Sequence, residues 1–77
     1  MELTLFIGEG CPYCKKVTNF IAENKINIPI KETWNNDSNQ KELFDLAGKL
    51  QVPCLEINGK PMHESLDIID KLREIFL

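Results

Sequence analysis

With 77 residues the chain is one domain at most, near the lower limit at which a single apolar core holds a fold without staples, so every element must contribute to that core. Its 43% hydrophobic content is ordinary for a globular protein, and no apolar run approaches the length of a membrane span. A net charge of -3 leaves no basic footprint, which argues against nucleic acid and anionic membranes as partners.

Leu3-Thr4-Leu5-Phe6-Ile7 is a short apolar run ended by Gly8-Glu9-Gly10, the pattern of a buried strand entering a turn. A helix opens at Pro12, whose missing N–H costs nothing in a first turn. Cys14, Val17 and Ile21 share one face of this helix, with Phe20 beside them and Lys15, Lys16, Asn19 and Glu23 opposite. Asn24-Lys25 closes it. Ile26 to Trp34 reads as a second strand, placed at an edge because Pro29 cannot donate to a ladder.

Asn35-Asn36-Asp37 is a turn, after which Asp37 or Ser38 is expected to cap a helix carrying Leu43, Leu46, Ala47 and Leu50 toward the core, with Gly48 near its end. The period then changes. Val52 to Ile57 and Lys60 to His63 flank Asn58-Gly59, the strongest two-residue hairpin signal. Ser65 is the expected N-cap of a last helix, with Ile68, Ile69, Leu72, Ile75 and Phe76 as its apolar stripe. The order β-α-β-α-β-β-α, joined by one right-handed crossover, predicts an α/β fold over residues 1–77: a four-stranded mixed sheet with helices on both faces.

The chemistry lies in Cys11-Pro12-Tyr13-Cys14. No basic stretch followed by a long apolar one opens the sequence, so a reducing cytoplasm is the expected compartment, where cysteines seldom form structural bridges. A dithiol centre needs an exposed thiol that ionises readily and a second thiol close enough to attack the mixed disulfide formed by the first. At a strand-to-helix junction, Cys11 stands outside the first turn, where unpaired N–H groups and the positive helix end favour a thiolate, whereas Cys14 lies three residues on and faces the core. Cys11 is therefore the expected nucleophile and Cys14 the resolving thiol. A structural metal site and two inert buried cysteines are the competing readings.

Cys-Pro-Tyr-Cys after the first strand, Val52-Pro53 before the third and the acidic/Ser pair Glu64-Ser65 opening the last helix together resemble a glutaredoxin of thioredoxin-like fold. The resemblance covers essentially the whole chain. It implies a cis Pro53 facing the reactive cysteine and a Val52 backbone that pairs with the cysteinyl part of glutathione. From the residues alone, Pro53 could equally start a strand. The run Met62-His63-Glu64-Ser65-Leu66-Asp67 is more similar to the N-terminal domain of glutathione transferases, in which the acidic/Ser pair binds the γ-glutamyl end of glutathione. The resemblance further implies that Tyr13 projects outward against the substrate. Gln51 stands where glutaredoxins usually carry threonine, and no lysine occupies Gly8-Glu9-Gly10.

The implied activity is glutathione-dependent reduction of protein disulfides and glutathione mixed disulfides by a monomer. Cys11 and Cys14 would be catalytic, Tyr13, Gln51, Val52, Pro53, Glu64 and Ser65 would contact glutathione as co-substrate, and no cofactor or metal would be resident. A transferase would require a helical second domain after Leu77. The alternatives are an electron donor recharged by thioredoxin reductase or another thiol, a zinc set of Cys11, Cys14, Cys54 and His63 whose spacings match no common module, and an iron–sulfur cluster shared between two chains, which Pro12 disfavours by resemblance. Cys54 reads as a small apolar strand residue, and His63 as a solvent-facing hairpin residue. Trp34 is suited equally to covering the core edge and to binding.

Overall fold

Leu5 and Phe6 are adjacent in strand β1 (Leu3–Ile7), so they point to opposite faces of the sheet, yet both are fully buried. A strand covered on both faces must lie inside the sheet with helices above and below, and the topology of this computed structural model, which describes all residues from Met1 to Leu77, follows from that requirement.

The remaining elements are α1 (Pro12–Glu23), β2 (Ile30–Glu32), α2 (Asp37–Ala47), β3 (Cys54–Ile57), β4 (Lys60–Met62) and α3 (Ser65–Phe76). Strand order is β2-β1-β3-β4. β1 runs parallel to β2, with Leu5 opposite Ile30, and antiparallel to β3, with Leu5 opposite Leu55 and Phe6 opposite Cys54. On one face Leu5 and Leu55 pack with Val17 and Ile21 of α1, Ile26, and Ile68 and Leu72 of α3. On the other, Phe6 and Cys54 pack with Leu43 of α2. The α/β class, the element order and the mixed sheet with helices on both faces are as the sequence predicts.

Several boundaries differ, each for a local reason. β2 is confined to Ile30–Glu32 rather than Ile26 to Trp34, because Ile26 turns into the core and Pro29 can only accept, its carbonyl taking the Leu5 N–H at 2.9 Å. The cap of α2 is Asn36, not Asp37 or Ser38: its side chain accepts the Asn39 N–H at 2.9 Å from an extended backbone. Gly48, at φ 73, ends that helix in the left-handed conformation, which places Leu50 beyond the last turn and leaves it 54% exposed instead of in the core.

Ser65 is the first residue of α3 rather than its cap. The Glu64 carbonyl already accepts the Ile68 N–H at 2.8 Å, so Glu64 holds the cap position, without a side-chain capping bond. Phe76, assigned to the apolar stripe of α3, is largely exposed at its end. No helix is long and apolar enough to cross a membrane.

Candidate active site

The parallel strands β1 and β2 end on the same side of the sheet, and the chain enters β3 there as well, since β3 runs antiparallel to β1. Three connections thus meet at one edge: Gly8-Glu9-Gly10 after β1, Trp34 after β2 and Val52-Pro53 before β3. This is where the open edge of an α/β sheet ordinarily receives a ligand.

Cys11 is the N-cap of α1. Its backbone is extended, and its Sγ takes the place of a capping oxygen, accepting the Cys14 N–H at 3.1 Å. The same sulfur lies 3.9 Å from the Val52 carbonyl oxygen and is only half-buried. Cys14 sits one turn into the helix with 3% of its surface exposed, its sulfur 3.5 Å from the Gly8 N–H. Burial, reinforced by the hydrogen bond with the Cys11 sulfur, pushes the Cys14 thiol up to about 12, although the Gly8 N–H pulls the other way. The two cysteines thus differ as the sequence predicts, one accessible and one withdrawn.

Val52-Pro53 is cis, as the resemblance implies. Tyr13 projects outward, 60% exposed, and Lys16 lies over its ring with the ammonium 5.5 Å from the centroid. Lys16, on the polar face of α1, is therefore engaged with Tyr13. Tyr13, Gln51, Val52, Pro53, Glu64 and Ser65 line one depression of about 290 Å³. Every residue that the resemblance assigned to ligand contact thus falls on one surface, beside the Cys11 sulfur. The first N–H groups of α3 open at its Ser65 end with no side-chain cap, an arrangement suited to a carboxylate.

A seventh residue lines this depression and was misjudged. His63, expected to face solvent, is half-buried, and both of its ring nitrogens are enclosed without a hydrogen-bond partner. A second cleft, of about 450 Å³, was not read from the sequence at all. Cys11, Cys14 and Pro12 form one side of it, with Trp34 and the Gly8-Glu9-Gly10 loop among its other walls and Lys15 at the helix. The signal was available in the topology, because the residue that follows a strand parallel to β1 must stand beside the loop that follows β1.

Cys54 is fully buried against Phe6 and Leu43, and burial raises its thiol, so it is the inert strand residue the sequence suggested. No group of three or more His, Cys, Asp or Glu side chains stands close enough together to hold a metal ion.

The glutathione S-transferase N-terminal domain family matches residues 5–76. The chain belongs to this family. It is also 31% identical over 72 residues to Glutaredoxin-C4 of Arabidopsis thaliana, a match that covers 90% of this chain and 53% of that protein. Among solved structures, the Omega 3C glutathione transferase of Trametes versicolor superposes with a TM-score of 0.81 at 30% identity, over 99% of this chain and 34% of that one. Oxidized glutaredoxin 2 of Chlamydomonas reinhardtii superposes with a TM-score of 0.67 at 26% identity, over 99% of this chain and 75% of that one. The chain thus spans about half the length of the glutaredoxin and about a third of the transferase. The thioredoxin-like fold and the kinship with both glutaredoxins and transferase N-terminal domains agree with the resemblance carried by Cys11-Pro12-Tyr13-Cys14, Val52-Pro53 and Glu64-Ser65.

Proposed function

We propose that this domain is a glutathione-dependent thiol–disulfide oxidoreductase with Cys11 as its nucleophile. The observation that carries this reading is the position of the Cys11 sulfur: half-exposed, capping α1 at 3.1 Å from an amide N–H, and 3.9 Å from the carbonyl of the residue at the centre of the Val52 depression. An amide donor at a helix start serves a sulfur that carries charge, and an extended backbone segment beside it can pair with a peptide in strand fashion.

In the proposed cycle the Cys11 thiolate attacks a disulfide R–S–S–R′, forming a Cys11–S–S–R bond and expelling R′ as a thiolate that takes a proton from water. Glutathione, held along Val52 with its γ-glutamyl carboxylate at the start of α3, then attacks the Cys11 sulfur and releases R as a thiol. A second glutathione attacks the sulfur of the first, giving glutathione disulfide and restoring the Cys11 thiolate. Two glutathiones are oxidised for each disulfide reduced. Where the substrate is a protein–glutathione mixed disulfide, Cys11 takes the glutathionyl group directly and only the last step follows.

Cys14 can also resolve the intermediate, but a thiol raised to about 12 supplies very little thiolate at neutral pH. That favours glutathione as the resolving nucleophile. The test is a glutathione-coupled reduction of a small mixed disulfide with wild type, Cys11→Ser and Cys14→Ser. Wild-type activity is expected to fall at least about 10³-fold in Cys11→Ser and to persist within a few-fold in Cys14→Ser, in line with removing a nucleophile rather than a secondary group. Loss of activity in both variants would reject the one-thiol route.

One observation favours a second reading. The Val52 depression contains no Lys or Arg, although glutathione brings two carboxylates. A donor recharged by thioredoxin reductase needs no such cation, and rapid turnover in an NADPH-coupled assay with that reductase and no glutathione would establish it.

A further inference from the structure

His63 is the one side chain of the Val52 depression that can carry positive charge, and it is the chain's only histidine. Its placement is unusual in another way. It leaves β4 just before the Glu64 cap of α3, and it contributes to the depression while both ring nitrogens are enclosed and without a partner. Buried polar atoms are almost always paired, and one that is not calls for an explanation such as strain, a missing solvent partner or a ligand. The surroundings offer the third. Across the depression the donors and acceptors are Gln51, Ser65, Tyr13, the Val52 backbone and the Glu64 carboxylate, and none of them bonds the imidazole.

We infer that His63 is a ligand-contacting residue of this depression, its imidazole turning to hydrogen-bond a carboxylate of the bound tripeptide. The inference rests on the glutathione reading and deepens it, by naming the group that meets the anionic ligand where the sequence carries no lysine or arginine. Rotation about Cβ–Cγ exchanges Nδ1 with Cδ2 and Nε2 with Cε1 and leaves the outline of the ring unchanged, so the edge that carries nitrogen can change without displacing its neighbours. Glu64 complements this arrangement, since its carboxylate can meet the ammonium of the γ-glutamyl residue while His63 and the start of α3 take carboxylate oxygens. A ligand carboxylate would give the imidazole the partner that no neighbouring side chain or backbone group supplies.

The contrast between stability and binding is what separates this role from a structural one. His63→Phe keeps a planar ring and discards two unpaired polar atoms. Its melting temperature is expected to equal or exceed that of wild type, while its affinity for S-methylglutathione, a ligand that cannot form a disulfide, falls about tenfold or more, as the loss of a bond to a charged group implies. His63→Gln retains a donor and is expected to recover part of that affinity. Because the histidine is unique, its ring ¹⁵N resonances are unambiguous, and both are expected to move when wild type is saturated with S-methylglutathione.

Saturable binding with unmoved ring resonances would overturn the inference and leave the glutathione reading standing, and so would wild-type affinity in His63→Phe. Failure of wild type to bind S-methylglutathione at all would overturn both. Should His63→Phe fold poorly, the ring resonances of wild type and the affinity of His63→Gln decide the matter.

Discussion

The Val52 depression and the Trp34 cleft adjoin the same sulfur but are made of different materials. The first is assembled mainly from polypeptide ends, the approach to β3, the exit from β4 and the start of α3, with Tyr13 of α1 beside them, so much of what it offers is backbone, hydroxyl and amide. The second is a gap between a loop and a helix, closed by one large aromatic side chain and edged by Glu9 and Lys15. Fixed polar groups select one ligand, because a mismatched partner leaves them unpaired, whereas an aromatic wall accepts many shapes. That difference suits an exchange in which one thiol is always the same tripeptide and the other varies. Strand order puts the two on opposite sides of β1, so in the proposed exchange glutathione would enter from the β3 side while the departing thiol occupies the β2 side.

The largest effect expected on this comparison comes from alkali. Cys14 lines the Trp34 cleft and not the Val52 depression, and its thiol is raised from 9.0 to about 12. In the unfolded chain it ionises near 9, so between the two values the folded state holds the proton that the unfolded state has released. The stability this contributes is fully present below pH 9 and is lost as the pH rises toward 12, on the order of a few kcal/mol at the upper end. Urea midpoints measured from pH 7 to 10.5 should therefore fall steeply in wild type and less steeply in Cys14→Ala. Parallel curves for the two proteins would mean that Cys14 is not buried as described.

Gly8 is the partition between the two sites. A Cβ at this position would stand 2.8 Å from Val52 Cγ2, and a β-branched side chain has few rotamers to which it can retreat. Gly8→Ala is expected to push Val52 out of place, lowering stability by about 1–3 kcal/mol. Because the Val52 carbonyl lies beside Cys11, affinity for S-methylglutathione should fall as well, by several-fold. Titration calorimetry beside urea denaturation checks both, and an unchanged affinity in a folded variant would show that the two sites are not coupled through this contact.

How much of this the sequence disclosed depends on whether a feature is local or topological. The apolar run Leu3-Thr4-Leu5-Phe6-Ile7, the Asn58-Gly59 turn and the stripe of α3 short of Phe76 are near-neighbour patterns, and all were legible. The cap of α2 slipped by one residue because Asn36, Asp37 and Ser38 are all capable caps, and only the extended backbone at Asn36 decides among them. Leu50 looked apolar and in register, but Gly48 ended the helix first. On the site side, Cys11 and Cys14 were readable from their spacing, and the Val52 and Ser65 residues from a family resemblance. Trp34 and His63 were not, because neither has a motif. One acquires its place from the parallel pairing of β1 and β2, and the other from the turn between β4 and α3 that shuts its nitrogens in.

Removing Trp34 should produce the smallest effect and the most selective. Trp34→Ala opens the wall of one cleft without touching a residue that lines the other. Loss of an aromatic contact is worth about 0.5–1.5 kcal/mol, so the KM for disulfides with bulky aromatic or peptidyl groups should rise by roughly twofold to tenfold. The KM for glutathione and that for a small disulfide with hydroxyethyl groups should stay within error, since neither needs the wall. The tryptophan is unique, so its fluorescence gives an independent check: in wild type, forming a mixed disulfide between Cys11 and an aromatic thiol should change the emission more than forming one with a small aliphatic thiol. If the KM for glutathione rises in step with that for bulky disulfides, the two surfaces form one site rather than two, and the division of labour at Cys11 fails with it.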